Sequence, residues 1–324
     1  MTSAETPATG EERSLAVAVL TFRRPDDIAS VLPLLVEQAA TVADDDLAVS
    51  ILVIDNDPEE SARERVGAFA AGSSVPVRYV PEHTPGISAA RNRALSEAAD
   101  SDLLVFIDDD ERPTEAWLRS LLDTYRDYRS AAVVGPVVSE YEVEPDPWIV
   151  AGGFFTRRRL PTGTSLDVAA TNNLLLDLRQ IRAHDLSFDL AFGIGGGEDT
   201  LFTRTLHQRG ALLVWCDEAV VIDVVPRSRL TRSWVVHRRF SSGNSWSLTS
   251  LALAGSPVRR AKVRLTSSGW GVLRLGGGAA RYLLGVVRRS VGARASGMKT
   301  MARGAGMLAG AWGYSYQEYR RSSS

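Results

Sequence analysis

The chain has 324 residues, 44% of them hydrophobic, which suffices for one large domain or a domain with an appendage. A single cysteine, Cys216, excludes an intramolecular disulfide framework, and the polar opening "MTSAETPATGEERS" has neither the basic nor the apolar segment of a secretory signal, so a cytoplasmic globular protein is expected. The net charge of −2 conceals a separation: residues 251–324 hold 13 Lys/Arg and one acid, Glu318, so this stretch carries +12 and the remainder −14.

Residues 1–14 read as a disordered polar tail. Short apolar runs then recur, "LAVAVLTF" (15–22), "SILVID" (50–55), "VRYV" (77–80), "DLLVFID" (102–108) and "AAVVGPVV" (131–138), as expected of strands buried on both faces. Between most of them lie helically spaced segments, 26–40, 59–70, 87–98 and 114–125. Strand and helix in alternation predict a Rossmann-like, mostly parallel α/β sheet whose ligands sit at the carboxyl ends of the strands, where Asp55 and Asp108 close their runs. A dinucleotide site is set aside, because "LTFRRPDD" lacks the glycine-rich turn that must follow the first strand.

"FIDDDERP" runs a strand into three aspartates. Adjacent carboxylates raise each other's pKa unless a cation or water relieves them. If strand geometry persists, Asp108 and Asp110 project to one side and Asp109 to the other, an arrangement suited to Mg²⁺ or Mn²⁺ with a diphosphate as co-ligand. A solvated acidic turn is the plainer alternative. Downstream, "FGIGGGEDTLFTR" places Glu198 and Asp199 on the first turn of a predicted helix, where the backbone dipole favours the ionised carboxylate that a general base requires. The preceding glycines, including Gly196 and Gly197, expose backbone and suit a substrate-facing loop better than a stabilising one.

In order, "VLTFRRPDDI", "VIDNDP", "HTPGISAARNRAL", "FIDDDERP", "TNNLLL", "GIGGGEDTLFTR" and "VVPRSRLT" followed by "RRFSSGNS" resemble the family 2 glycosyltransferases of GT-A fold, over residues 15–245. The resemblance implies transfer of a sugar from a nucleotide-diphosphate donor (UDP-, GDP- or dTDP-linked) to an acceptor hydroxyl, with inversion. It implies that Asp55 holds the nucleoside, Asp108 or Asp109 the ribose or base side, and Asp110 the metal. Thr21 and Arg23 line the nucleotide pocket, Arg91 faces the donor, Asp199 is the base and Glu198 touches the acceptor. Asn172 and Asn173 are candidates for the donor–acceptor border, or simple turn formers. With His237, Arg238 and Arg239 are candidates to neutralise the diphosphate, or a solvated basic face. Where many relatives carry histidine, "VVIDVVP" has Asp223; either it ligates the ion through oxygen, the reading preferred here, or the metal site is incomplete.

Two other classes compete, a sugar-1-phosphate nucleotidyltransferase and a non-catalytic nucleotide-sugar binder. The first wants a glycine-containing phosphate loop after strand one, and the second is expected to lose Asp110 or Asp199. From residue 246 a basic helical region is expected. Arg274, Arg281 and Arg288 interrupt its apolar stretches before the ~20 residues a membrane span needs. Three roles stay open for it: peripheral contact with the inner face of a membrane, which would suit a lipid-linked acceptor while a soluble small-molecule acceptor also stays open; packing on the acidic domain; and a homodimer contact. Nucleic acid is not expected, since no motif for it accompanies the charge.

Overall fold

A computed structural model of the chain describes residues 13–44 and 46–316. The expected polar tail lies outside the described residues as far as residue 12, whereas Ser14 already belongs to the first strand. Strand β1 (Ser14–Thr21) is buried along almost its whole length, as a central strand covered on both faces must be. Helix α1 (Pro25–Val42) opens with proline at its first position and Asp26 and Asp27 in its first turn, and buries Ile28, Val31, Leu32, Leu35 and Ala39 on one stripe. Strand β2 (Ala48–Asp55), helix α2 (Arg63–Ala70), strand β3 (Val77–Pro81), helix α3 (Ile87–Glu97) and strand β4 (Leu103–Asp108) complete the alternation.

A three-residue strand, β5 (Glu111–Pro113), precedes helix α4 (Trp117–Tyr128). The run expected as one strand over 131–138 is two, β6 (Ala132–Val134) and β7 (Val137–Tyr141). Pro136 has no N–H to continue a ladder, and a Cβ on Gly135 would lie 2.1 Å from the Ala219 carbonyl, so the chain crosses there from one sheet to another. Helix α5 (Pro147–Gly152), strands β8 (Ser165–Leu166) and β9 (Asn173–Asp177), and helices α6 (Leu178–Ala183) and α7 (Glu198–Gln208) follow, then strands β10 (Leu213–Trp215) and β11 (Val221–Val225).

The main sheet has the order β3-β2-β1-β4-β9-β6-β10-β8; β3, β2, β1 and β4 run parallel, and β9 is antiparallel to both its neighbours. One apolar cluster lies between this sheet and α1, α2 and α4, the other on the opposite face beneath α3, α6 and α7. A second sheet, β5-β11-β7, was not foreseen.

Three helices are the last elements among the described residues: α8 (Arg232–Ala252), α9 (Pro257–Val287) and α10 (Val291–Ala311), each N-capped by a side chain, Thr231, Ser256 and Ser290. The domain boundary expected at 245/246 falls inside α8. Helix α10 packs on α8, α5 and α9, and the seam is made of glycine: a Cβ on Gly278 would sit 2.8 Å from Gly297 O, and one on Gly304 2.7 Å from Gly271 O. Only hydrogen side chains permit backbones so close. Among the described residues no helix is long and apolar enough to cross a membrane.

Candidate active site

Register brings the carboxyl ends of three parallel strands level, with Thr21 opposite Asp55 and Leu20 opposite Asp108. Asp55 is fully buried, and its two oxygens accept from Asp57 N (3.0 Å), Ala62 N (3.0 Å) and the Tyr79 hydroxyl (2.9 Å). It spends its capacity on shaping the turn after β2. Arg23, half exposed in the left-handed region (φ 56°), faces Asp57, 3.4 Å away.

Strand geometry stops at Asp108, so the expected alternation does not persist. Asp109 is buried and accepts from Thr21 Oγ1 (2.8 Å) and Arg24 Nη1 (2.9 Å); the same guanidinium nitrogen donates to Asp110 (3.0 Å), on which Arg229 also converges (3.5 Å). Strand β5 then pairs antiparallel with β11 and sets Glu111 directly opposite Asp223. Residues so paired share a face with Cβ atoms about 5 Å apart, which joins Asp223, from the far end of the domain, to the acids after β4. Asp223 is buried; Oδ2 accepts from Arg157 (2.6 Å), while Oδ1 is buried without a partner. Burial pushes Asp108 up to about 6 against the pull of Arg91, with Asp110 and Asp223 adding to the rise, and pushes Asp109 up to about 7 against the pull of Arg24. Burial and the neighbouring Asp108 also raise Glu111 well above the carboxylate range.

This donor set suits a hard divalent cation: all oxygen, crowded with negative charge, with one buried carboxylate oxygen unpartnered. Among the described residues no three His, Cys, Asp or Glu side chains converge to hold an ion unaided. Mg²⁺-type ions commonly take one or two carboxylates and complete their shell with substrate phosphates.

The opposite wall is built by the glycine turn. Gly196 (φ 76°) and Gly197 (φ 97°) occupy backbone regions that L side chains avoid, and a Cβ on Gly197 would press on Ser245 of α8 at 3.0 Å. The turn delivers α7 with Glu198 and Asp199 in its first turn. Successive helical residues point about 100° apart, and the two acids separate accordingly. Glu198, expected at the acceptor, is buried and ion-paired with Arg91 of α3. Asp199 remains part-exposed, with Oδ1 accepting from Thr200 N (2.5 Å). Phe188 stacks on Phe202 of α7 (4.1 Å between ring centroids) and lies under the Arg91 guanidinium (5.6 Å), which fixes both members of the pair.

A cavity of about 240 Å³ joins these walls, with Asp199, Thr200, Asn172, Arg157, Arg158 and Trp215 in its lining. Asp110 is not in the lining. The acids are reached through two of its residues: Asn172 donates to Glu111 (2.5 Å), and Arg157 holds Asp223. Arg91 spans the same gap inside the protein, within electrostatic reach of Glu198, Asp199 and Asp108.

The sequence profile of Glycosyl transferase family 2 matches residues 16–177. Succinoglycan biosynthesis protein ExoM of Rhizobium meliloti (strain 1021) is 33% identical over 235 residues, 72% of this chain and 74% of that protein. The chain belongs to glycosyl transferase family 2. This sets aside the nucleotidyltransferase and non-catalytic readings. Among solved structures, the mannosyltransferase PcManGT from Pyrobaculum calidifontis, in complex with GDP-Man and Mn²⁺, superposes with a TM-score of 0.58 at 17% identity, over 91% of this chain and 86% of that one. S. aureus TarS gives 0.54 at 14% identity, over 78% of this chain and 41% of the longer TarS chain. The glycosyltransferase thus has the GT-A fold.

One expectation for the glycosyltransferase needs correction. Asn173 is buried in β9, accepts from Trp117 Nε1 (2.8 Å) and donates to Pro136 O (3.1 Å) and Ala219 O (2.7 Å); it ties the two sheets together and has no surface for a substrate. Arg238 is exposed on α8 and Arg239 donates to Phe154 O within electrostatic reach of Arg157, whereas other arginines are bonded to the acids. Those are Arg24, Arg157 and Arg229. Arg24 and Arg229 stood inside motifs already singled out, "TFRRPDD" and "VVPRSRLT"; Arg157 sits in "FTRRRL", where nothing distinguishes one arginine from the next.

Proposed function

We propose that this glycosyltransferase moves a sugar from a nucleoside-diphosphate donor to an acceptor hydroxyl with inversion, using Asp199 as the general base and a divalent cation, Mg²⁺ or Mn²⁺, held by Asp110 and Asp223 together with the diphosphate. The observation that carries the reading is the cavity in which Asp199 faces Arg157 and Asn172, the residues that hold Asp223 and Glu111. A base on one wall and an anion-binding centre on the other is the arrangement that in-line displacement at an anomeric carbon requires. PcManGT with GDP-Man and Mn²⁺ supports the donor and metal class.

In this reading the Thr200 N–H fixes one oxygen of Asp199, and the other takes the acceptor proton as the acceptor oxygen bonds to the anomeric carbon. The bond from that carbon to the diphosphate oxygen breaks, and the diphosphate leaves with the electron pair. A bound cation stabilises that growing negative charge. Arg157 and Arg229, already on Asp223 and Asp110, turn toward the phosphates, where guanidinium offers paired donors. Arg91 and Glu198 position Asp199 without touching substrate, and Thr21, Asp109 and Arg24 brace the donor side. The acceptor is proposed to be lipid-linked and presented at the cytoplasmic face of a membrane, in keeping with the basic C-terminal helices.

The test is a panel of UDP-, GDP- and dTDP-sugars with Mg²⁺ or Mn²⁺. Metal-dependent donor hydrolysis is expected with one of them, and product of inverted anomeric configuration on transfer. Binding of none under either metal overturns the reading.

A further inference from the structure

Helix α9 is the outermost of the C-terminal helices, packing on α10 and marginally on α8. One side is pinned: Gly271, Gly278 and Gly285 are buried in the seam with α10. The other side carries Val258, Leu265, Val272, Leu283 and Val287, which are 79%, 73%, 59%, 63% and 80% exposed. Their spacings of 7, 7, 11 and 4 residues keep them on one face of a helix, so an apolar stripe runs the length of α9, about 45 Å at 1.5 Å per residue.

Past Leu273 and Leu284, 66% and 45% exposed, the apolar face gives way to cations. Arg281 and Arg288 lie beyond its edge, seven residues apart, and Arg274 of the same row stands at the glycine seam, where a Cβ on Gly304 would meet it at 2.8 Å, with the Trp270 ring, 57% exposed, 5.3 Å from its guanidinium. Residues 256–311 hold 11 Lys/Arg and no Asp or Glu, and among the described residues none of those 11 pairs with a carboxylate. The tail packs on the domain, as was one expectation, but not by charge: α10 lies backbone to backbone on α8 at Gly243, Gly306 and Gly310 and meets α5, with Lys299 capping the Gly152 and Gly153 carbonyls.

We propose that α9 is a membrane-docking helix that lies in the headgroup layer of an anionic bilayer, its apolar stripe among the acyl chains and its arginines on lipid phosphates. An apolar face flanked by cations and an interfacial tryptophan is the pattern of helices that lie in that layer. A second copy of the chain fits less well, because Lys262 lies within the exposed face and α9 has no acid with which a partner copy could meet it. The glycine seam fixes the roll of α9, so the stripe faces outward before any membrane is met. The proposal rests on the reading of a membrane-borne acceptor for its purpose, but not for its physics.

Flotation of the full chain with phosphatidylcholine vesicles, with and without phosphatidylglycerol, tests it. Binding is expected to need the anionic lipid and to weaken with salt. The Leu265→Glu, Leu283→Glu double variant should lose it by more than roughly ten-fold, and Lys262→Gln with Arg281→Gln by a smaller factor, both keeping wild-type donor hydrolysis as proof of folding. Equal flotation of wild type and the Glu variant overturns the proposal. So does a concentration-dependent dimer that the Glu variant abolishes while wild type leaves the vesicles unbound. Vesicle binding without hydrolysis of any donor upholds α9 and tells instead against the catalytic reading.

Discussion

Arg91 of α3 and Glu198 of α7, 107 positions apart, form a buried ion pair at the hinge between the acids after β4 and the helix that carries Asp199. Burial raises the pKa of Glu198 and Arg91 counters it. Removing one partner of such a pair strands the other charge, at a cost of about 3–5 kcal/mol. Glu198→Ala should lower the chemical-denaturation stability by that order. Combining it with Arg91→Met should restore part of the loss, since the two sites are in contact and their effects do not add. If the double variant loses the sum of the two singles, the pair is not the coupling element.

Asp199→Asn keeps the shape of the side chain and the N–H contact from Thr200 but removes the proton acceptor. Transfer is expected to fall roughly 100- to 10,000-fold, the range for a general base, with donor affinity by calorimetry near wild type. Undiminished transfer would assign the base elsewhere.

Asp223→Ala deletes the buried unpartnered oxygen and frees Arg157. Activity titrated against Mg²⁺ and Mn²⁺ should require a higher metal concentration in the variant. An unchanged metal response would remove Asp223 from the site.

Asn173→Ala separates fold from function. Trp117 Nε1 and the carbonyls of Pro136 and Ala219 lose their partner, at about 1–3 kcal/mol for a buried unsatisfied group. The melting temperature is expected to drop while KM for donor in the folded enzyme stays put. A raised KM without destabilisation would return Asn173 to the substrate.

The strands that aim the site were legible because burial on both faces leaves continuous apolar runs, and Asp55, Asp108 and Asp199 were legible because each stands where such a run or a glycine turn ends. The β5-β11-β7 sheet was not. "ERP" is too short to carry a period, and Val137 to Tyr141 continues the preceding apolar run, with Pro136 the lone sign that the chain changes sheets. The pairing of Glu111 with Asp223 follows from that sheet and stayed hidden with it. Arg157 and Arg229 are brought to the acids by tertiary contacts alone. In the tail the seven-residue spacing of Gly271, Gly278 and Gly285 was visible in the letters, but its partner helix was not.

In the proposed mechanism Asp199 and the acids around Asp110 serve one cleft. Anomalous diffraction from crystals grown with Mn²⁺ and a nucleoside diphosphate measures this directly. The ion is predicted on Asp110 and Asp223, with the diphosphate reaching into the cavity lined by Asn172, Arg157 and Asp199; an ion and diphosphate bound away from these carboxylates, with Asp199 facing a different surface, would contradict it.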